Sequence, residues 1–292
     1  MLWPLETLTE TGPLVEIVVK HSRAAFVGEA AIATEWRDLN FTAPPDFGRA
    51  IDESDRLIAL LASTGATIHQ LPAAPGAGLD SIYVRDASVV TPAGMILCHM
   101  GKPQRRGEAA AQADAFRALG IPVVGEITPP GTLEGGDVVW IDSSTVAVGQ
   151  GYRTNVDGIA QFQRLLAGSA DCIVVPLPHW RGPSDVFHLM SILSPVAQDL
   201  AVVYSPLMPV VFRQWLRARD VEFVEVPDEE FDTMGANVLA LAPRRCVALE
   251  GNPITRARLE GAGAEVAVYD GPEISLKGGG GPTCLTRPIR RR

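Results

Sequence analysis

A chain of 292 residues, 47% hydrophobic and 20% charged, carries enough apolar material for a large core, which excludes general disorder. Its net charge of −9, with no basic stripe, argues against a nucleic-acid binder, and an acidic surface suits a cationic ligand as well as it suits solubility.

The chain begins MLWPLETLTETGPLVEIVVK, without a basic start and apolar core, so no leader is expected and a cytoplasmic protein is. No apolar run approaches the ~18 residues of a membrane span, because Pro176, Pro178, Pro206 and Pro209 interrupt the best candidates. LVEIVVKHS reads as a strand, and FGRAIDESDRLIALLASTGATIHQLP as a helix followed by a strand. From there one pattern recurs: a strand carrying a polar residue, a turn, an apolar strand, a helix and another strand. SIYVRDASVV leads to MILCHMGKP, GEAAAQADAFRALG and IPVVGEI; TLEGGDVVWI leads to TVAVGQGYRTN, VDGIAQFQRLLAG and CIVVPLP. DVFHLMSILS leads to LAVVYSPLMP, VVFRQWLRAR and VEFVEVP; GANVLALAP leads to CVALEGNP, ITRARLEGAG and AEVAVYD. KGGGGPTCLTRP then supplies the first strand of a unit whose remainder lies at the start of the chain. The final basic cluster, Arg287 to Arg292, reads as a solvated tail.

Aligning the units puts Asp86, Asp137, His188, Asn237 and Cys284 at corresponding positions, 51, 51, 49 and 47 residues apart. A unit with one apolar helix face and a short sheet cannot bury itself alone, so neighbours must close round a shared core. Five units predict one domain over residues 1–292, a five-bladed α/β propeller of ββαβ units whose first strands line the axis. The competing fold, a doubly wound dinucleotide binder, rests on VGQGYRTN, where Thr154 stands in place of a third glycine.

Cys98, Cys172 and Cys246 sit among apolar strand residues and read as inert thiols; no CxxC pair suggests a disulfide framework. Cys284 differs, since glycines bring backbone N–H groups close to it, where they can support a thiolate. His188 alone would read as a core histidine, but its register places it on the axis with Cys284. His21, His69, His99 and His179 lack that register and read as structural or surface residues. A metal would need three or four suitable ligands, and the other axial residues are Asp and Asn, so none is expected. Asp at a strand end also makes turn hydrogen bonds, a reading that stays open for Asp137. Asp86 and Glu134 beside a cysteine and a histidine would instead hold a planar cation such as a guanidinium and allow a thiolate to attack its central carbon.

In LDSIYVRD (79–86), TLEGGDV (132–138), VGQGYRTN (148–155), HLMS (188–191) and GGGGPTC (278–284), nearly the whole chain resembles the guanidino-modifying enzymes of the pentein superfamily, most closely the dimethylarginine dimethylaminohydrolases. The resemblance implies Cys284 as nucleophile, His188 as general acid/base, and Glu134 as the acid that orients the imidazole and contacts the guanidinium. It implies that Asp86 holds guanidinium nitrogens, Asp80 contacts the substrate further out, and Arg105 and Arg153 handle an amino-acid carboxylate. It also implies a small-molecule guanidino substrate, no cofactor and no metal, and it leaves a homodimer open. Two positions depart from the pattern. Arg85 stands where the methylarginine hydrolases commonly have an acid, and Met190 where deiminases and amidinotransferases have an aspartate. The expected reaction is hydrolysis of an N-methylated arginine to citrulline and a methylamine through a thiouronium. The alternatives are amidino transfer, arginine deimination or hydrolysis of another guanidine, and a non-catalytic binding ring.

Overall fold

The structure, a computed structural model, describes Trp3 and residues 8–292. Fifteen strands form five three-stranded sheets among these residues. Strands β1 (Leu14–Val19) and β2 (Thr67–Gln70) join β15 (Thr286–Arg291) in the blade shared by the two ends of the chain. The second blade holds β3 (Ser88–Thr91), β4 (Gly94–Leu97) and β5 (Val123–Glu126), and the third holds β6 (Val138–Asp142), β7 (Thr145–Gln150) and β8 (Asp171–Pro176). The fourth holds β9 (Leu193–Ala197), β10 (Leu200–Val203) and β11 (Glu222–Glu225), and the fifth β12 (Leu239–Ala242), β13 (Arg245–Leu249) and β14 (Glu265–Tyr269). In every blade the first two strands run antiparallel and the last two parallel. A parallel pair needs a crossover, and a helix supplies it each time: Phe47–Ala62, Glu108–Ala118, Val156–Leu166, Val210–Arg217 and Pro253–Gly261. This is the five-bladed α/β propeller that the repeat predicts.

Burial explains the strand composition. The inner strands β3 and β4 are buried along their whole length and read SVVT and GMIL, while the outer β5 is partly exposed and ends in glutamate. The apolar clusters cross blade boundaries: Val89, Ile96 and Phe116 pack with Trp140, Val146 and Phe162. No sheet closes its own core; each buries its apolar face against neighbouring blades.

Polar bonds staple each junction. Arg85 Nε reaches the carbonyls of Thr283 (2.8 Å) and Thr286 (3.2 Å), and Trp140 Nε1 reaches Val90 O (3.1 Å). Leu189 N donates to Asp137 Oδ1 (2.9 Å), Ser194 Oγ to Ala236 O (2.7 Å), and Arg291 Nη2 to Ala240 O (2.9 Å). These six bonds, spread over the five junctions, run once round the axis. They also correct the reading of the C-terminal arginines: Arg287 and Arg291 lie in β15, only 1% and 7% exposed, so this stretch is a ring-closing strand and not a solvated tail. Among the described residues no helix is long and apolar enough to cross a membrane.

A second difference concerns the axis. The aligned polar residues lie in tight turns just before the first strands, such as Gly135–Asp137 and the Leu189–Ser191 turn that follows His188. Strand residues alternate between faces, and the turns free these side chains to leave the sheet and crowd the mouth of the ring.

Candidate active site

The glycine run shapes the turn that carries Cys284. Gly279 is left-handed (φ 76°), and a Cβ on Gly278 or Gly280 would collide with Tyr83. A Cβ on Gly281 would sit 2.6 Å from the Asn237 amide, so the backbone there lies directly on that side chain. Asn237 Nδ2 is 3.3 Å from Cys284 Sγ, while its Oδ1 accepts from Thr283 N (2.9 Å) and Thr283 Oγ1 (2.8 Å). Burial and then the Asp86 charge push the Cys284 thiol up; the hydrogen bonds from Asn237 and Thr283 and the charge of Arg85 oppose them.

His188 is buried, and its Nε2 lies 2.7 Å from Glu134 Oε2. Its Nδ1 faces Asp86 Oδ1 at 4.0 Å. Burial disfavours the imidazolium, yet Asp86, Asp137 and Glu134 outweigh it and push the group up to about 9. Gly136 makes this proximity feasible, since a Cβ there would fall 2.6 Å from His188 Nδ1 and 2.8 Å from Asp86 Oδ1. Glu134 is fully enclosed behind the imidazole. Its oxygens meet His188, the Lys102 N–H (3.0 Å) and Arg153 Nη1 (3.3 Å), leaving it no open face toward the cavity. Burial would raise Glu134, but His188, Arg153 and Arg105 hold it well below the usual carboxylate range. Asp137 accepts from Leu189 N and from Thr154 Oγ1 (2.6 Å), so among the axial residues it is a brace between blades.

Asp86 is 2% exposed and is gripped through Oδ2 by Arg105 Nη1 at 2.6 Å, while its Oδ1 has no hydrogen-bond partner. An unpaired buried carboxylate oxygen is costly unless something arrives to fill it. Arg105 itself is held by Glu108 (2.9 and 2.8 Å), Asp86 and the carbonyls of Asp80 and Tyr83. Its guanidinium anchors Asp86, a role beside the carboxylate contact that the resemblance implies. Asp80 is paired with Lys102 Nζ at 2.6 Å. Arg153 is held only loosely, by Glu134 and by Asp185 O at 3.5 Å.

Asp80, Asp86, Arg105, Arg153, His188 and Cys284 all line one cavity of about 360 Å³; Glu134 stands behind its wall. Met190 lines it too, whereas Arg85 does not. Arg85 turns away to grip the Cys284 turn and Glu10 (3.2 Å), so the side chain at this departing position stands outside the cavity. Asp86, Glu134 and His188 are also the one group among the described residues that could hold a metal ion, with ligand atoms within 4.8 Å of one another; here Glu134 and His188 satisfy each other. The remaining histidines sit elsewhere, His21 on Asp55, His69 on Glu16, His99 on Gly131 O and His179 on Tyr152. Cys98 and Cys246 are buried and pushed up by that burial, the latter to about 12. Sequence reasoning missed the contact of Asn237 with sulfur and the Lys102–Asp80 pair; the alignment marked Asn237, and nothing local marked Lys102.

A thiol, an imidazole backed by a buried carboxylate, and an unpaired carboxylate oxygen in one cavity are equipped to bind a planar cation and attack it. The family profile described as "N,N dimethylarginine dimethylhydrolase, eukaryotic" matches residues 45–291. The chain belongs to that family. It is therefore an amidine hydrolase acting on C–N bonds, of the pentein fold. The N(G),N(G)-dimethylarginine dimethylaminohydrolase of Streptomyces coelicolor is 30% identical over 248 residues, covering 84% of this chain and 88% of that one. Among solved structures, the dimethylarginine dimethylaminohydrolase of Pseudomonas aeruginosa in complex with citrulline aligns with TM-score 0.76 at 22% identity, covering 94% of this chain and 98% of that one. The N-terminal domain of a cyanobacterial arginine dihydrolase aligns with TM-score 0.79 at 17% identity, covering 95% and 98%. At these identities the two structures speak for the fold.

Proposed function

We propose that the protein hydrolyses an N-methylated arginine to citrulline and a methylamine, with Cys284 as nucleophile and His188 as general acid and base. The observation that carries this is Asp86, a buried carboxylate with one oxygen lacking a hydrogen-bond partner, on the wall of the same cavity as Cys284 and His188. A guanidinium donates to that oxygen and brings its central carbon toward sulfur. Its positive charge offsets Asp86, the neighbour that raises the thiol, so substrate binding favours the thiolate it needs.

The thiol proton passes to solvent as the cation binds, and the thiolate forms a C–S bond to the guanidine carbon. His188, protonated near neutral pH, gives its proton to the departing amine as the C–N bond breaks. Neutral His188 next takes a proton from water; the resulting hydroxide adds to the thiouronium carbon, the C–S bond breaks to return the thiolate, the hydroxyl proton is lost to the solvent or the released amine, and a neutral ureido product leaves. Glu134 orients and charges the imidazole from behind. Arg105 aims Asp86. Asp80 with Lys102, and Arg153, lie where the rest of the substrate would extend, and Arg153 is the less committed cation for its carboxylate. Met190, an apolar side chain on the cavity wall, supports an alkylated nitrogen over one that needs a second carboxylate.

A panel of guanidines assayed for ureido product and released amine tests this. Turnover of methylated arginines above arginine is expected. Ammonia from arginine would make the enzyme a deiminase, and a new guanidine formed on adding an amine would make it an amidinotransferase.

A further inference from the structure

Asn237 holds the axial position beside Cys284, and the reaction above gives it no part. It is only 5% exposed, and the orientation of its amide is determined by its neighbours. Thr283 presents two donors to Oδ1, at 2.9 and 2.8 Å. Turned over, the amide would set Nδ2 against the Thr283 N–H, donor to donor. The nitrogen must therefore face Cys284 Sγ, 3.3 Å away. Gly281 packs against this amide and leaves it no room to swing.

A neutral thiol is a weak acceptor, whereas hydrogen bonds to an ionised acceptor are roughly twice as strong as neutral ones. The contact thus favours sulfur as an anion over sulfur as a thiol. Resting on the reading of Cys284 as nucleophile, we propose that Asn237 is a catalytic residue: its Nδ2–H donates to the Cys284 sulfur and stabilises the thiolate form, while its Oδ1 fixes the turn that aims it. The bond serves twice, since the same anion attacks in the first stage and departs in the second. The titratable and charged groups acting on this sulfur are Asp86, Arg85, Tyr83 and Tyr269, with His188 on the same cavity wall. Asn237 is the neutral member of the set, so its removal changes no formal charge.

Asn237→Ala and Asn237→Asp provide the test. Alanine removes the donor that faces sulfur without changing formal charge, whereas aspartate keeps an acceptor for both Thr283 donors, removes that donor and adds a carboxylate that pushes the thiol further up. Cys284 alkylation by iodoacetamide, located by peptide mapping, is followed from about pH 6 to pH 10 in the wild type, Asn237→Asp and Asn237→Ala. Both variants should shift the rate profile upward by one pH unit or more, making alkylation about tenfold slower at neutral pH. Their kcat should fall more than KM rises. An Asn237→Ala profile that superimposes on the wild type would reduce Asn237 to a brace for Thr283 and overturn the proposal. Wild-type Cys284 that fails to alkylate at any pH would instead sink the nucleophile reading, and this inference with it.

Discussion

Replacing Asp86 with Asn should loosen substrate binding while making Cys284 more reactive toward a neutral alkylating agent. Asp86 Oδ1 lies 4.0 Å from His188 Nδ1. At that separation a full charge pair is worth about 4 kcal/mol at an effective dielectric of ~20, or roughly 3 pKa units. Arg105, at 2.6 Å on the other oxygen, shares the carboxylate's field, so about 1–3 units is the expected fall for His188. His188 would then titrate between about pH 6 and pH 8 instead of about 9. The thiol moves the same way, because Asp86 is among the influences that raise it. Losing one charge-assisted hydrogen bond to a guanidinium, ~1.5–3 kcal/mol, should cut kcat/KM by about 10- to 150-fold. NMR titration of histidine Cε1 protons, with His188 assigned through its own substitution, reads the first effect; iodoacetamide rates at neutral pH read the second. An unmoved His188, or slower alkylation, would refute the electrostatic reasoning.

Other outcomes follow from the same contacts. Arg85→Ala should destabilise the fold by about 3–5 kcal/mol, since it strips Glu10 of its buried partner and frees the Cys284 turn, yet the ratio of kcat/KM for methylated over unmethylated arginine should stay constant. A shifted ratio would put Arg85 back in the cavity. Gly281→Ala should fold but lose on the order of ten- to a hundredfold in kcat, because its Cβ displaces Asn237 and the sulfur it holds; unchanged kcat would contradict that. Thermal melts across pH should show greatest stability in mildly acidic buffer. Folded His188 keeps its proton to about pH 9, against ~6.5 unfolded, so its contribution is complete below the lower value and gone above the higher. Burial of Glu53 and Glu108 likewise holds their protons to about 7 and that of Asp137 to about 6, so these also lose stability as pH rises. Glu10 and Glu134 are depressed in the fold, and their contribution is lost only below the ordinary carboxylate range. Stability rising steadily from pH 6 to pH 9 would contradict this balance.

The ring and its axis were legible because a repeat carries its own register: the spacing that aligned Asp86, His188 and Cys284 brings them to one cavity. Blade count, crossover helices and the split terminal blade followed from the same periodicity. Side-chain direction did not. Arg105 is committed by Glu108 in its own segment and by Asp86 and two carbonyls outside it, and nothing in that segment announces the latter three. Glu134 has the right neighbours for a guanidinium, but Lys102 and Arg153 close round it from other loops. The C-terminal arginines look like a tail until β1 and Glu10 are set beside them. Asn237 could be placed on the axis, while the direction of its amide depends on Thr283, distant in sequence and adjacent only once the ring closes.

Attack of Cys284 on the guanidine carbon leaves a covalent mark. Acid-quenching the enzyme during turnover of an N-methylated arginine, followed by intact-mass and peptide analysis, should show an adduct confined to Cys284. It should be absent from Cys284→Ser, which should still fold and bind but release no ureido product. Turnover persisting in Cys284→Ser, or an adduct on another residue, would rule out Cys284 as the nucleophile.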